Sequence, residues 1–116
     1  MDLMIKESVA TLFCYAIKLE GKDIKVEKPL FVRFMSQDFD CEAREAEELL
    51  EEIMEKEVDN IDTHISIISN ALYNEPYSKM SILKQLNHLI FRGKIGDEDY
   101  DFFDKVKKSF FERKRA

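Results

Sequence analysis

Carboxylates crowd two turns of this chain. Glu20, Asp23 and Glu27 flank Gly21, and Asp97 and Asp99 follow Gly93. Several carboxylate oxygens around one point are what a hard divalent cation such as Mg²⁺ or Ca²⁺ requires. If the two turns pack about an approximate twofold axis, these side chains converge on one such ion. A second reading needs no ligand: Glu27, Asp97 and Asp99 open helices, where the first-turn N–H groups and the helix dipole favour acids. Asp97, Asp99 and Asp101 also share the spacing that begins a calcium loop. Phe102 and Lys108 stand where that loop needs its glycine and its distal glutamate, so an EF-hand is excluded.

Other reactive side chains are sparse. His64 and His88 are the only histidines, and neither has a cysteine or carboxylate at a clear zinc-ligand spacing. Both are expected to be surface or half-buried side chains. Cys14 and Cys41 form no CxxC pair and are expected to be free thiols in a reducing compartment. Tyr15 and Tyr77 have no catalytic context. The chain holds no nucleophile elbow, P-loop, GxGxxG or HExxH, and a non-enzymatic role is expected.

The acidic turns need helices to place them. The chain has 116 residues, 45% hydrophobic and 36% charged, with only 3 Gly and 2 Pro. That composition suits one all-α domain rather than a turn-rich β fold. The segment Leu19 to Glu27 is echoed 72 residues later in Phe91 to Asp99. Each copy runs from an apolar helix into a glycine, and an acid opens the next helix six positions after it. Ala10, Cys14 and Ile17 fall opposite Ile82, Leu86 and Leu89. The pattern predicts a compact bundle of about six helices built from two pseudo-repeated helix–turn–helix units, with Gly21 and Gly93 as left-handed closures.

Apolar residues at three- and four-residue spacing set the expected helices. Helix 1 runs from Asp2 to Glu20 and lies centrally. Helix 2 begins near Val26 with Pro29 in its first turn, buries Leu30, Phe31, Phe34 and Met35, and ends before a break at Ser36 to Asp40. Asp40 is the expected N-cap of helix 3, Cys41 to Glu57, whose inner side is Ala43, Ala46, Leu49, Leu50, Ile53 and Met54. Asp59 or Asp62 caps helix 4, with Ile61, Ile65, Ile68, Ala71 and Leu72 inward. Helix 5 opens at Pro76 or Ser78 and ends at Arg92, turning Met80, Leu83, Leu86, Leu89 and Ile90 inward. Helix 6 starts after Gly96 and buries Tyr100, Phe103, Val106 and Phe110.

Charge is distributed unevenly. The formal net charge of −6 disfavours a general nucleic-acid binder or an anionic membrane surface. Residues 38–62 hold 12 acids against Arg44 and Lys56, whereas residues 105–116 are net basic. On helix 3 the glutamates Glu45, Glu48 and Glu52 share an outward face. That face is either plain solvated surface or a docking face that steers a basic partner. The tail from Phe110 to Arg115 interleaves aromatics with basics, which suits contact with RNA or a membrane surface, or simply the negative end of a helix. Tyr73, Tyr77 and Phe111 are the candidates for an apolar patch through which a dimer would form. No apolar run approaches the ~20 residues of a membrane span, the N-terminus lacks the build of a signal peptide, and the expected location is cytoplasmic.

The two turns carry a resemblance. An apolar helix ending in acid-Gly, followed by an acid seven residues after the first, resembles the TerB-like family. That family includes small tellurite-resistance proteins and the N-terminal region of DjlA-type membrane co-chaperones. Its pattern is Ala-Asp-Gly, a variable residue, Ile or Val, then Glu. Glu20-Gly21 and Glu27 keep that frame, with Glu for Asp and Ile24 one place late. In the second copy Gly93, Ile95 and Asp99 match, and Arg92 replaces the acid. The resemblance implies an all-helical bundle and a stress-related role through protein partners near membranes. It also implies a divalent-cation site, which by position falls on Glu20, Glu27 and Asp99, with Arg92 opposing it. The co-chaperone's His-Pro-Asp motif has no counterpart here.

Overall fold

The computed structural model describes residues 3–19, 21, 23–56, 60–91 and 96–111. These residues form six α-helices and no strand: α1 (Leu3–Leu19), α2 (Ile24–Phe39), α3 (Ala43–Glu55), α4 (Ile61–Ala71), α5 (Pro76–Ile90) and α6 (Asp97–Phe111). The expected all-α helical bundle is what the chain adopts.

Helix α1 is the axis of the fold and touches all five other helices. From Ser8 to Ile17 only Tyr15 is not fully buried, as expected of a segment apolar on every side. Its polar members are satisfied locally. Thr11 Oγ1 donates to the Glu7 carbonyl (2.7 Å) and Ser8 Oγ lies 3.1 Å from His64 Nδ1 on α4. Phe13 meets Phe34 edge-on at 4.7 Å and Phe31 at 6.4 Å, and Phe34 continues the cluster to Phe39. On the other side Tyr15 packs on Phe102, and Phe91 packs on Phe103 and Tyr100.

The aligned sets Ala10, Cys14, Ile17 and Ile82, Leu86, Leu89 are all buried, on α1 and α5, and these two helices pack together. Gly21 closes the first unit with φ of 61° and donates its N–H to the Lys18 carbonyl (3.1 Å). Only glycine enters that conformation without a steric cost. Gly93 lies outside the described residues, as do Asp2, Glu57, Asp59 and Arg92, on which other expected boundaries fall.

Several expected boundaries are corrected. Helix α2 starts earlier, because Asp23 caps it by accepting from the Lys25 N–H (2.9 Å). It also continues through Ser36 to Phe39, since the buried Met35 and Phe39 lie four apart on one face. Asp40 therefore closes α2 in the left-handed conformation, with φ of 53°, rather than capping α3. Glu42 holds the N-cap position of α3 and makes no side-chain cap hydrogen bond. Helix α4 is capped by Asn60, which accepts from the Thr63 N–H, with Asp62 in the first turn.

Four inward assignments are also overturned. Ala43 and Ala71 are exposed. Met80 and Tyr100 are 55% and 58% exposed. The buried stripe of α5 includes Lys79, Ile82, Leu83 and Leu86, one residue out of phase with Met80. On α6 the stripe Asp99, Phe102, Val106, Phe110 excludes Tyr100.

Candidate acidic site and docking face

The carboxylates at the two turns divide by burial. Asp23 and Asp97 are exposed, and Asp23 is occupied in capping. Glu27 in the first turn of α2 is 4% exposed, and Asp99 in the first turn of α6 is 0% exposed. Asp99 Oδ2 accepts the Gly96 N–H (3.0 Å), while the Asp99 N–H returns to the Gly96 carbonyl (3.1 Å). This reciprocal bond is why an acid three residues past Gly96 starts the helix. Its other oxygen, Oδ1, is buried with no hydrogen-bond partner among the described residues. A buried polar atom left unpaired costs on the order of 1–3 kcal/mol. Glu20 lies outside the described residues. Among those described, no three His, Cys, Asp or Glu side chains gather into a metal-holding group.

Helix α3 separates its two faces cleanly. Ala46, Leu50 and Ile53 are buried, while Glu45, Glu47, Glu48, Glu51, Glu52 and Glu55 are all exposed. The three predicted docking residues each have a basic neighbour: Glu45 pairs with Lys6 (3.2 Å), Glu48 with Arg44 (3.3 Å) and Glu52 with Lys56 (3.3 Å). Glu51 pairs with Lys28. Pairs whose carboxylate is exposed in this way contribute up to about 1 kcal/mol, so they exchange readily for a partner's cations. Glu42, Glu47 and Glu55 have no basic partner among the described residues.

Both cysteines are free and buried. Burial pushes the Cys14 thiol up to about 12. Burial, and then donation to Glu45 Oε1 (2.7 Å), pushes Cys41 up to about 11. That same hydrogen bond, followed by the Lys6 ammonium, holds the Glu45 carboxyl below its usual range. Both thiols stay protonated at neutral pH, which suits neither a nucleophile nor a metal ligand. His64 is half-buried against Ser8, and His88 is exposed.

Two features escaped the sequence reading. The first is Lys79, 7% exposed, whose Nζ donates to the carbonyls of Phe110 (2.8 Å) and Tyr73 (3.4 Å). The signal for it is the period 79, 82, 83, 86, together with the need of the α6 carbonyls for a cation. The second is a cleft of about 280 Å³ between the end of α2 and the start of α5, lined by Asp38, Phe39, Tyr77, Ser78, Ser81 and Ile82. No described helix is long and apolar enough to cross a membrane. No family model, curated protein or solved structure matches this chain.

Proposed function

We propose that this chain is a non-enzymatic, cytoplasmic TerB-like protein that acts in a stress response of the tellurite-resistance kind by docking a protein partner, one associated with a membrane. The observation that carries this reading is the outward array of glutamates on α3, set on a helix whose other face buries Ala46, Leu50 and Ile53. Such an array steers a basic surface and sets the register of the encounter, with its effect falling as salt rises. Glu45→Lys, Glu48→Lys and Glu52→Lys together should cut retention of a partner on the immobilised protein about tenfold or more at low salt. All three side chains are exposed, so the fold should persist, as far-ultraviolet circular dichroism would verify. Retention unchanged by the triple reversal would remove the docking face.

A second reading is favoured by the unpaired Asp99 Oδ1. Asp99, Glu27 and Glu20 would together hold a divalent cation, which would neutralise the Asp99 carboxylate that α6 buries. The Asp99 oxygen fits such an ion, because no described residue satisfies it. The ion would supply positive charge between helix starts and no chemistry. An ion bound only by the folded chain adds stability by mass action, about 2.7 kcal/mol at a hundredfold excess over Kd. The melting temperature should therefore rise by several degrees for one of Ca²⁺, Mg²⁺, Mn²⁺ or Zn²⁺ over chelator, and Glu20→Ala with Glu27→Ala should abolish the rise. A flat series in all four ions would leave Asp99 as a capping residue alone.

A further inference from the structure

The cleft between α2 and α5 has a built polarity. Its floor is apolar, from Phe39 and Ile82, both buried. Tyr77 stands at its mouth with 90% of its surface exposed, an unusual position for a large aromatic ring in the first turn of a helix. Ser81 Oγ donates to Asp38 Oδ2, which fixes the orientation of that carboxylate at the rim. The cleft lies at the C-terminal end of α2, where the helix carbonyls add partial negative charge. In the chain, Asp40 and Glu42 follow its α2 wall and Glu75 precedes its α5 wall; all three are exposed and have no basic partner among the described residues.

These features select one kind of occupant. An anion meets Asp38 and the negative end of α2. A purely apolar side chain would cover the Asp38 carboxylate without replacing its water, which is costly. A lysine supplies charge but neither a flat face nor a fork. Arginine supplies all three: a methylene stem for Phe39 and Ile82, a guanidinium face for the Tyr77 ring, and paired N–H donors for Asp38. We infer that this cleft receives an arginine side chain from a basic segment of the protein partner. The inference rests on the docking reading above and gives that surface its anchor. Only Asp40, Cys41 and Glu42 separate α2 from α3, so the α2 wall of the cleft leads within three residues to the helix that carries the glutamate array. A segment anchored there is placed to run its remaining cations along α3.

The test uses the full chain and three fluorescein-labelled synthetic peptides of Arg-Leu-Ser, Lys-Leu-Ser and Glu-Leu-Ser repeats. The arginine peptide should bind, the lysine peptide about three- to tenfold more weakly, and the glutamate peptide not at all. In ¹⁵N–¹H spectra the arginine peptide should move the amides of Phe39, Tyr77, Ser81 and Ile82. Tyr77→Ala and Asp38→Asn should each lower its affinity about three- to tenfold, without loss of spectral dispersion, because both side chains are exposed. Equal binding of the arginine and lysine peptides, with shifts confined to α3 and no effect of Tyr77→Ala, would overturn the cleft while sparing the docking face. Cleft shifts that survive the α3 charge reversal at full affinity would uphold the cleft and sink the docking face. No binding of the arginine peptide at millimolar concentration would overturn the inference outright.

Discussion

Phe13→Ala is expected to lower the unfolding free energy by about 3–5 kcal/mol, the usual loss for a large buried aromatic. Phe13 sits in the fully buried part of α1 and meets both Phe31 and Phe34 of α2 edge-on. Its removal forfeits the transfer energy of the ring and leaves a void that two aromatic neighbours cannot fill without leaving their own positions. Such edge-on pairs add about 0.5–1.5 kcal/mol beyond the area they bury. Against a total stability of about 5–15 kcal/mol, the loss should move the urea midpoint sharply downward with little change in slope. Tyr77→Ala, exposed, should stay within about 0.5 kcal/mol in the same experiment. A loss below about 1 kcal/mol for Phe13→Ala would mean that α1 and α2 close over the gap, and that the aromatic junction does not hold them.

Helix α1 was legible because its pattern is redundant: with apolar residues on nearly every side, a small error of phase changes nothing. Helix α5 was legible in its start at Pro76 and in Leu83, Leu86, Leu89 and Ile90, and failed only at Met80, because its buried stripe contains a lysine. Met80 looks like the better core residue, and the carbonyls of Phe110, 31 residues away, and of Tyr73 in the preceding turn explain why Lys79 takes the inner position. The end of α2 failed for a related reason. Ser36, Gln37, Asp38 and Asp40 read as a polar break, yet Phe39 packs on Phe34 at 5.5 Å and carries the helix one turn further. That extra turn is what sets Asp38 beside Ser81 and creates the cleft, so a site spanning helices far apart in the chain was invisible in either segment. The acidic turns were visible as residue types. Burial then separated them, leaving Asp23 as a cap and placing Asp99 in the interior. The glutamate face of α3 was the most legible surface, because a helix with small and apolar residues on one side must present the other to water.

Lys79→Met is expected to cost about 1.5–3 kcal/mol, and two opposed effects decide the sign. Methionine keeps most of the side-chain volume and removes the need to bury an ammonium, which by itself favours the variant. It also strips the Phe110 carbonyl of its donor at 2.8 Å and the Tyr73 carbonyl of a longer one at 3.4 Å. A hydrogen bond to a charged group contributes about 1.5–3 kcal/mol, and a buried acceptor left alone costs about 1–3 kcal/mol. The ammonium also sits 5.1 Å from the centre of the Phe111 ring, a cation–π contact of about 0.5–2 kcal/mol. Lys79 has lost most of its solvent, but three groups of the protein have replaced it, so removing the charge should destabilise. The damage should be local as well as global. Amide hydrogen exchange should quicken most in the last turn of α6, which Lys79 ties to the turn between α4 and α5, and least in α3. A methionine variant as stable as the parent would show that desolvation of the ammonium cancels its bonds. The end of α6 would then be held by the apolar contacts of Phe110 and by the Ser69 hydroxyl on the Ser109 carbonyl (2.7 Å).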